Sequence, residues 1–404
     1  MATLEERFRS DGFDEPYICK YILRKKGLYL KPDYITFQVK ELDKGMQIRS
    51  RIYELVVLRA RDSKVISNFI IKDYSSSRDS VVDFFPGNNL SKKRKDISYY
   101  EAKFIRFFQY QKDNLLVHHI GRNKRLILEK WNGSLDELIF SSMNSENNLD
   151  IETLYHMFMS MLWNDLKRAT ELKYFLSFGK SRPFKKNENE LLIRYKIFVE
   201  EISKFLGLHN TNINDSIASE INKLVDYTTC KNRVEAVIHS DARSANVLYK
   251  WRPPRSIDRS NLILADFESI KLGPISYSLA TAANDIYFLC HYKDSPEKRK
   301  IIFDEMMMRD PSLWTPEKKD HELKEQLDHE YLYGTILQTL KTVGLSLLFR
   351  KNAPEKHARY ITQRPYETIE SMVENKLRSF SDAVMKFDGK KEFSTLAALF
   401  KLAQ

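Results

Sequence analysis

The residues of this chain that could do chemistry together lie in two short segments. The segment 237–248 carries Asp241 and Asn246, and the segment 262–268 carries Asp266. An apolar stretch, typical of a buried strand, leads into each segment. Phosphoryl transfer needs this set of groups: one carboxylate for the attacking hydroxyl, and an amide oxygen with a second carboxylate for Mg²⁺ on nucleotide phosphates. The pattern therefore predicts kinase chemistry that depends on ATP and Mg²⁺.

Each polar residue of the two segments has an expected role. Asp241 is predicted to orient the attacking hydroxyl and to accept its proton. Asn246 and Asp266 offer the hard oxygen atoms that Mg²⁺ prefers, and Glu268 either joins the metal shell or steadies the Asp266 loop. Arg243 either meets a phosphate or substrate group or is a solvent-facing loop residue, and the sequence leaves both open.

His239 has two interpretations. An apolar strand leads into it, which favours a buried residue that shapes the loop over a catalytic base. The alternative for the whole set is a coincidence of two unrelated loops, but the order, the spacing and the apolar strands before both Asp residues argue against coincidence.

The motifs resemble those of the aminoglycoside phosphotransferase and choline kinase group of the protein-kinase-like superfamily. The run 239–246 is similar to the group's H-G-D-x-x-x-x-N, and 265–268 is similar to its I-D-[FW]-E. The run 273–280 resembles G-D-P-x-Y-D-L-A, and 337–344 resembles a helical signature of sugar-kinase-like members. Only the stretch 237–280 is specific. The resemblance implies a bilobal α+β fold with a small antiparallel β-sheet lobe and a mainly helical lobe.

The resemblance also implies roles in the first lobe, residues 1–131, which would bind the nucleotide. Lys72 would contact the α- and β-phosphates, and Glu101 would pair with it. Backbone groups around Glu129 and Trp131 would face adenine. Lys72 could instead be an ordinary lysine at a strand end.

The sequence departs from the family pattern at several positions. The turn 41–46 lacks a G-x-G-x-x-G sequence, and Ser240 stands where the group has glycine. Ser278 replaces the second Asp of the G-D-P-x-Y-D-L-A motif, which leaves the support of the catalytic loop open. Asp285 either takes over that support or lies on a helix surface.

Periodicity predicts the elements that position these residues. Strands are predicted at 34–39, 51–58, 65–72, 115–119 and 126–128. Helical spacing is predicted at 99–110, 149–178, 189–206, 215–227, 317–350 and 366–385. A polar loop is expected at 75–96, with a basic run at 92–95 that is either a surface loop or a polyanion contact. The boundary between the lobes is expected near Trp131, which leaves 132–404 for the catalytic and substrate lobe.

Composition and charge narrow the class of protein. The 404 residues include 66 Lys and Arg against 55 Asp and Glu, a formal net charge of +11, which attracts polyanions, although no RNA-binding motif is present. No apolar run of about 18 residues predicts a membrane span. The N-terminus has early acidic residues and no apolar segment typical of a secretory signal. Three scattered cysteines without a C-x-x-C pair favour a reducing, cytoplasmic compartment.

Three functions fit these observations. The first is a kinase that phosphorylates a hydroxyl of a small molecule, such as a sugar, an amino-sugar or an amino-alcohol. Glu330 or Asp328 could line a pocket for a cationic acceptor, or lie on a solvated helix face. The second is a kinase acting on RNA or protein through the basic surface. The third is a nucleotide-binding pseudokinase. The acceptor, the choice between ATP and GTP and the oligomeric state stay open.

Overall fold

The protein forms two compact units in a computed structural model, Met1–Trp131 and Asn132–Gln404. The predicted α+β organisation is confirmed, because strands dominate the first unit and helices the second. The residues that the structure describes are 3–42, 51–74, 101–102, 105, 116–120, 125–143, 151–172, 188–208, 215–249, 262–267, 270–289, 296–315, 322–352, 354 and 368–401. Residues 43–46 of the turn predicted at 41–46 and the polar loop predicted at 75–96 lie outside them, as does most of the helix predicted at 99–110.

The N-terminal unit is built on a five-stranded antiparallel sheet. The strands are β1 (Ile35–Leu42), β2 (Arg51–Arg59), β3 (Val65–Asp73), β4 (Leu116–Ile120) and β5 (Arg125–Glu129). Their order in the sheet is β1-β2-β3-β5-β4, so β5 lies between β3 and β4. Each strand covers a stretch in which β-branched and aromatic residues predicted one.

Two helical segments that the sequence analysis did not predict precede the sheet. The first is α1 (Leu4–Ser10), which begins at a capping box formed by Thr3 and Glu6. The second, α2, starts as Glu15–Tyr17, continues as a π turn and ends at Lys26. Buried apolar side chains of both segments join the core of the sheet. They are Phe8, Phe13, Ile18, Cys19, Ile22 and Leu23.

The C-terminal unit is mainly helical. Its helices are α3 (Leu135–Met143), α4 (Ile151–Glu171), α5 (Glu188–Phe205), α6 (Asp215–Thr228), α7 (Ile275–Leu289), α8 (Pro296–Met308), α9 (Leu323–Asn352), α10 (Ile369–Phe387) and α11 (Ser394–Lys401). Its short strands are β6 (Gly133–Ser134), β7 (Ala236–His239), β8 (Val247–Tyr249), β9 (Leu262–Leu264) and β10 (Ile270–Gly273). Strand β7 pairs with β10, and β8 pairs with both β6 and β9.

Helix α9 is the central helix of this unit. It packs against α7, α5 and α10. Glycines allow the close approach: a Cβ at Gly334 would lie 2.6 Å from the Cβ of Ala280 on α7, and one at Gly344 would lie 2.6 Å from Cγ of Phe198 on α5. Among the described residues, α9 is long and apolar enough to cross a membrane, but 83% of its most apolar window is buried inside the protein. A helix buried in a protein core can have the same length and apolar composition.

Candidate active site

His239 connects the two motif-bearing loops. It ends β7, and its side chain is fully buried. The main-chain N–H of Asp241 donates to His239 Nδ1 at 3.3 Å, and His239 Nε2 lies 3.0 Å from the carbonyl oxygen of Ala265. Because Nδ1 accepts, Nε2 carries the proton and donates to Ala265. Burial lowers the pKa of His239 and favours the neutral ring. His239 therefore acts as a structural link.

Asn246 connects the same two loops a second time. Its Nδ2 donates to the main-chain carbonyl of Asp241 at 2.8 Å and to Asp241 Oδ2 at 3.0 Å. The main-chain carbonyl of Asn246 accepts a hydrogen bond of 2.7 Å from the main-chain N–H of Ala265. Ala265 is thus bound through both its N–H and its C=O to the loop that carries Asp241. The next residue, Asp266, has a left-handed φ of 59°, which turns the chain directly after this anchor.

The chemistry of these side chains fits Mg²⁺. Since Asn246 Nδ2 bonds to Asp241, the amide oxygen is the atom that can meet a metal, and Asp266 adds a carboxylate. Mg²⁺ in kinases takes one or two protein carboxylates and completes its shell with phosphates and water. The described part of the chain contains no group of three or more His, Cys, Asp or Glu residues placed to hold a metal by themselves. Nucleotide phosphates would have to supply the remaining ligands. Glu268 lies outside the described residues.

The carboxylate of Asp241 is paired with Arg243. Arg243 Nε lies 2.8 Å from Asp241 Oδ1, and Nη2 donates to Oδ2 at 2.9 Å. Burial favours the protonated acid, but the charges of Arg243 and Lys341 outweigh it and hold the pKa of Asp241 well below its usual range. The side chain of Arg243 is only 22% exposed. Of its two interpretations, the structure favours a site residue over a solvent-facing one.

Two side chains that the sequence analysis did not single out hold the residue before Asp241. Lys341 Nζ, from α9, donates to the carbonyl of Ser240 at 2.6 Å, and the hydroxyl of Tyr277 donates to the same oxygen at 3.3 Å. Both residues lie in segments that resemble family motifs, and Tyr277 stands at the Y of G-D-P-x-Y-D-L-A, but the sequence analysis assigned neither side chain a role. Ser240 is not among the residues with positive φ, so a glycine is not required there.

Helix α7 supports the loop that carries Asp241 at two points. The Ser278 hydroxyl accepts from the N–H of His239 and donates to its carbonyl, both at 3.0 Å. About two turns further along the helix, Asp285 Oδ2 accepts from the N–H of Ser244 at 2.7 Å and from its hydroxyl at 2.6 Å. Asp285 is 9% exposed, so it is not a helix-surface acid. The sequence analysis left open what supports this loop, because Ser278 stands where the family motif has an aspartate. In the structure, Ser278 and Asp285 share that support.

The predicted nucleotide residues belong to the N-terminal unit. Lys72 Nζ lies 2.8 Å from Glu101 Oε1, and both side chains are buried. The side chain of Glu129, at the end of β5, pairs with Lys26 at 2.5 Å. Trp131 is the last residue of the unit. The nucleotide roles of these four residues stay predictions.

The acids proposed for a cationic acceptor are engaged elsewhere. Glu330 is buried; its Oε1 lies 2.8 Å from Arg233 Nε, and its Oε2 accepts from Ser276 at 2.5 Å. Asp328 pairs with Lys300 at 2.6 Å. A buried carboxylate that is matched by an arginine is a structural ion pair. These two acids therefore give no sign of an acidic acceptor pocket.

Comparisons with known proteins returned solved structures only. No protein-family model matches the chain. No curated protein matches it either. A choline/ethanolamine kinase family protein from Mesorhizobium loti is similar at 9% identity and a TM-score of 0.42, over 90% of this chain and 92% of that one. The choline kinase LicA from Streptococcus pneumoniae is similar at 10% identity and a TM-score of 0.41, over 82% and 94%.

An aminoglycoside phosphotransferase from Alicyclobacillus acidocaldarius is similar at 11% identity and a TM-score of 0.38, over 89% of this chain and 94% of that one. These proteins are of the two kinds that the sequence motifs resemble. With identities this low and TM-scores below 0.5, their substrates say nothing about the acceptor of this chain.

Proposed function

We propose that the protein is a phosphotransferase that moves the γ-phosphoryl group of ATP, with Mg²⁺, to a hydroxyl of a small molecule. The observation that carries the proposal is the double attachment of Ala265 to His239 and Asn246. This attachment ties the loop of Asp241 to the residue preceding Asp266. A base-like carboxylate and two hard oxygen ligands in one local structure are what phosphoryl transfer requires.

In the proposed reaction, the acceptor hydroxyl oxygen forms a bond to the γ-phosphorus, and the bond from that phosphorus to the β,γ-bridging oxygen breaks. ADP leaves with the bond's electron pair, and the hydroxyl proton passes to Asp241. The lowered pKa makes Asp241 a weak base, so it orients the hydroxyl first and takes the proton late. A loose transition state asks little of the base before the new bond forms.

The remaining residues have supporting roles in this proposal. Asn246 and Asp266 would hold Mg²⁺, which when bound neutralises the phosphate charge. Arg243 starts from its ion pair with Asp241 and would turn toward the transferring phosphoryl group. Lys72, fixed by Glu101, would contact the nucleotide phosphates from the N-terminal unit.

The direct test measures transfer from γ-labelled ATP to a metabolite pool and compares wild type with Asp241→Asn. The amide keeps the shape of the side chain but takes up no proton, so transfer should fall by about 10²–10⁴-fold. Asp226→Asn is the matched control, because the Asp226 side chain, near the end of α6, is 44% exposed and pairs with the exposed Lys231. Equal transfer by wild type and Asp241→Asn would remove Asp241 from the reaction.

The same assay separates two other functions. The net charge of +11 supports a polyanionic acceptor such as RNA, for which transfer should weaken steeply as salt is raised. A nucleotide-binding pseudokinase would bind ATP with Mg²⁺ and show neither transfer nor hydrolysis.

A further inference from the structure

Cationic side chains surround the Asp241 loop on the side of α9 and β10. Lys341 Nζ is bonded to the carbonyl of Ser240, the residue before Asp241. Lys341 Nζ also lies 5.9 Å from the ring centre of Tyr277, and Lys271 Nζ lies 5.4 Å from the same centre. The hydroxyl of Tyr277 itself reaches Ser240. The two lysines and the tyrosine therefore form one group, here called the Lys341 cluster, and two of its members contact the residue before the carboxylate that is proposed to meet the acceptor.

Three carboxylates that the structure describes in this region have an opposite charge beside them or are assigned to one. Arg243 covers both oxygens of Asp241, and Asp266 is assigned to Mg²⁺ under the proposed function. Glu330, the buried acid of α9, is neutralised by Arg233. The Lys341 cluster is therefore a positive environment for a molecule whose hydroxyl reaches Asp241.

We infer that the acceptor is an anionic hydroxyl compound, one that carries a phosphate or carboxylate group, and that the Lys341 cluster binds this anion. The inference rests on the proposed function, since it identifies the acceptor of that reaction. It departs from the amino-sugars and amino-alcohols that the sequence resemblance implied, because an ammonium group would approach Lys341 and Arg243 as a like charge.

Electrostatic repulsion is large enough to decide between these acceptors. Two like unit charges about 6 Å apart, at an effective dielectric constant of about 20, weaken binding roughly a hundredfold. An anion at the same position binds more tightly by a similar factor. A hydrogen bond from a lysine ammonium group to the phosphate or carboxylate strengthens binding further. The charge of the acceptor should therefore control its KM.

The first experiment identifies the charge class of the acceptor. A small-molecule metabolite extract is separated by ion exchange into cationic, neutral and anionic fractions, and each is incubated with γ-labelled ATP and either wild type or Asp241→Asn. We expect Asp241-dependent label in the anionic fraction at tenfold or more above the other two. Treating that fraction with a phosphatase beforehand distinguishes the sources: loss of acceptor activity identifies a phosphate, and its survival identifies a carboxylate.

The possible failures are distinguishable. Asp241-dependent label mainly in the cationic or neutral fraction, or equally in all three, overturns the inference and leaves the phosphotransferase proposal standing. Label that does not depend on Asp241 in any fraction removes the proposed function, and the inference with it.

The second experiment tests the Lys341 cluster itself by comparing the anionic acceptor with its uncharged analogue. Lys341→Met should lower the ratio of their kcat/KM values by about tenfold or more, mainly through the KM of the anionic acceptor, and Lys341→Arg should restore most of it. Lys390→Met is the matched control, because Lys390 is an exposed lysine of the same unit that pairs with Glu325. A purely structural role of Lys341 at Ser240 would lower both kcat/KM values equally, and an unchanged ratio would overturn the assignment.

Discussion

Asp285 accepts two hydrogen bonds from Ser244 with a single carboxylate oxygen, one from the main-chain N–H at 2.7 Å and one from the hydroxyl at 2.6 Å. Ser244 begins the short 3₁₀ turn that ends at Asn246. Asp285 lies on α7, a helix packed in the core of the C-terminal unit. These two bonds therefore attach the backbone of the Asp241 loop to a core helix of the unit, two residues before Asn246, the proposed Mg²⁺ ligand.

Asp285→Ala should impair catalysis through the position of Asn246. We expect kcat to fall by roughly 10- to 100-fold and the Mg²⁺ requirement to rise, with a loss of about 1–3 kcal/mol in the free energy of unfolding, because the N–H and hydroxyl of Ser244 lose their acceptor. Steady-state kinetics over a Mg²⁺ titration measure both effects. Ser244→Ala combined with Asp285→Ala should be no worse than Asp285→Ala alone, and additive losses would show that the two residues act separately.

The pair of Lys72 and Glu101 should show strong coupling. Glu101→Gln or Lys72→Met leaves one buried charge without its partner, so each should lower the free energy of unfolding by about 3–5 kcal/mol and raise the ATP concentration needed for activity. The double variant Lys72→Met with Glu101→Gln should be more stable than the sum of the single losses implies. Urea unfolding of the four proteins completes the cycle, and simple additivity would contradict a direct buried ion pair.

The parts of the fold that the sequence predicted share a local origin. Strands β1, β2 and β3 follow from runs of β-branched and aromatic residues between turns. Helices α4, α5, α6, α9 and α10 follow from apolar spacing, and their ends lie within several residues of the predicted ones. Helices α3, α7, α8 and α11 were not among the predicted spans. The two motif loops were recognisable because an apolar strand ends at each and polar residues of fixed spacing follow.

The contacts that complete the site could not be predicted, because they join distant parts of the chain. Lys341 and Ser240 are 101 residues apart, and Asp285 and Ser244 are 41 residues apart. No local pattern says which helix will face a loop. The acid Glu330 shows the same limit, since helical spacing alone did not distinguish a pocket or a solvated face from the buried pair with Arg233 that the structure contains.

Gly344→Ala should destabilise the C-terminal unit. The new Cβ would lie 2.6 Å from Cγ of Phe198, which is buried on α5, so α5 and α9 must separate or the ring must move. A cost of about 1–3 kcal/mol is expected for such overpacking. Gly389→Ala is the matched control, because nothing lies within 4 Å of a Cβ there. Thermal unfolding should show a lower Tm for Gly344→Ala alone, and equal Tm values would contradict the close packing of α9 against α5.

The buried imidazole of His239 should make stability depend on pH. Burial lowers its pKa in the folded protein, whereas in the unfolded chain the pKa is about 6.5. Below that value the unfolded chain binds the extra proton and the folded protein does not, so the contribution of His239 is complete above about pH 7 and declines as the pH falls. His239→Gln keeps a donor and an acceptor but does not titrate.

The free energy of unfolding, measured in urea at pH 5, 6, 7 and 8, should therefore favour wild type over His239→Gln most at pH 8 and least at pH 5. His329 also has a lowered pKa, but it is present in both proteins and cancels in the difference. A difference that stays constant from pH 5 to pH 8 would mean that the pKa of His239 is the same in the folded and unfolded chain, and a difference that is largest at pH 5 would mean that the ring is charged in the folded protein. Its Nδ1 would then be unable to accept the N–H of Asp241, and the link between the two motif loops would have to be assigned differently.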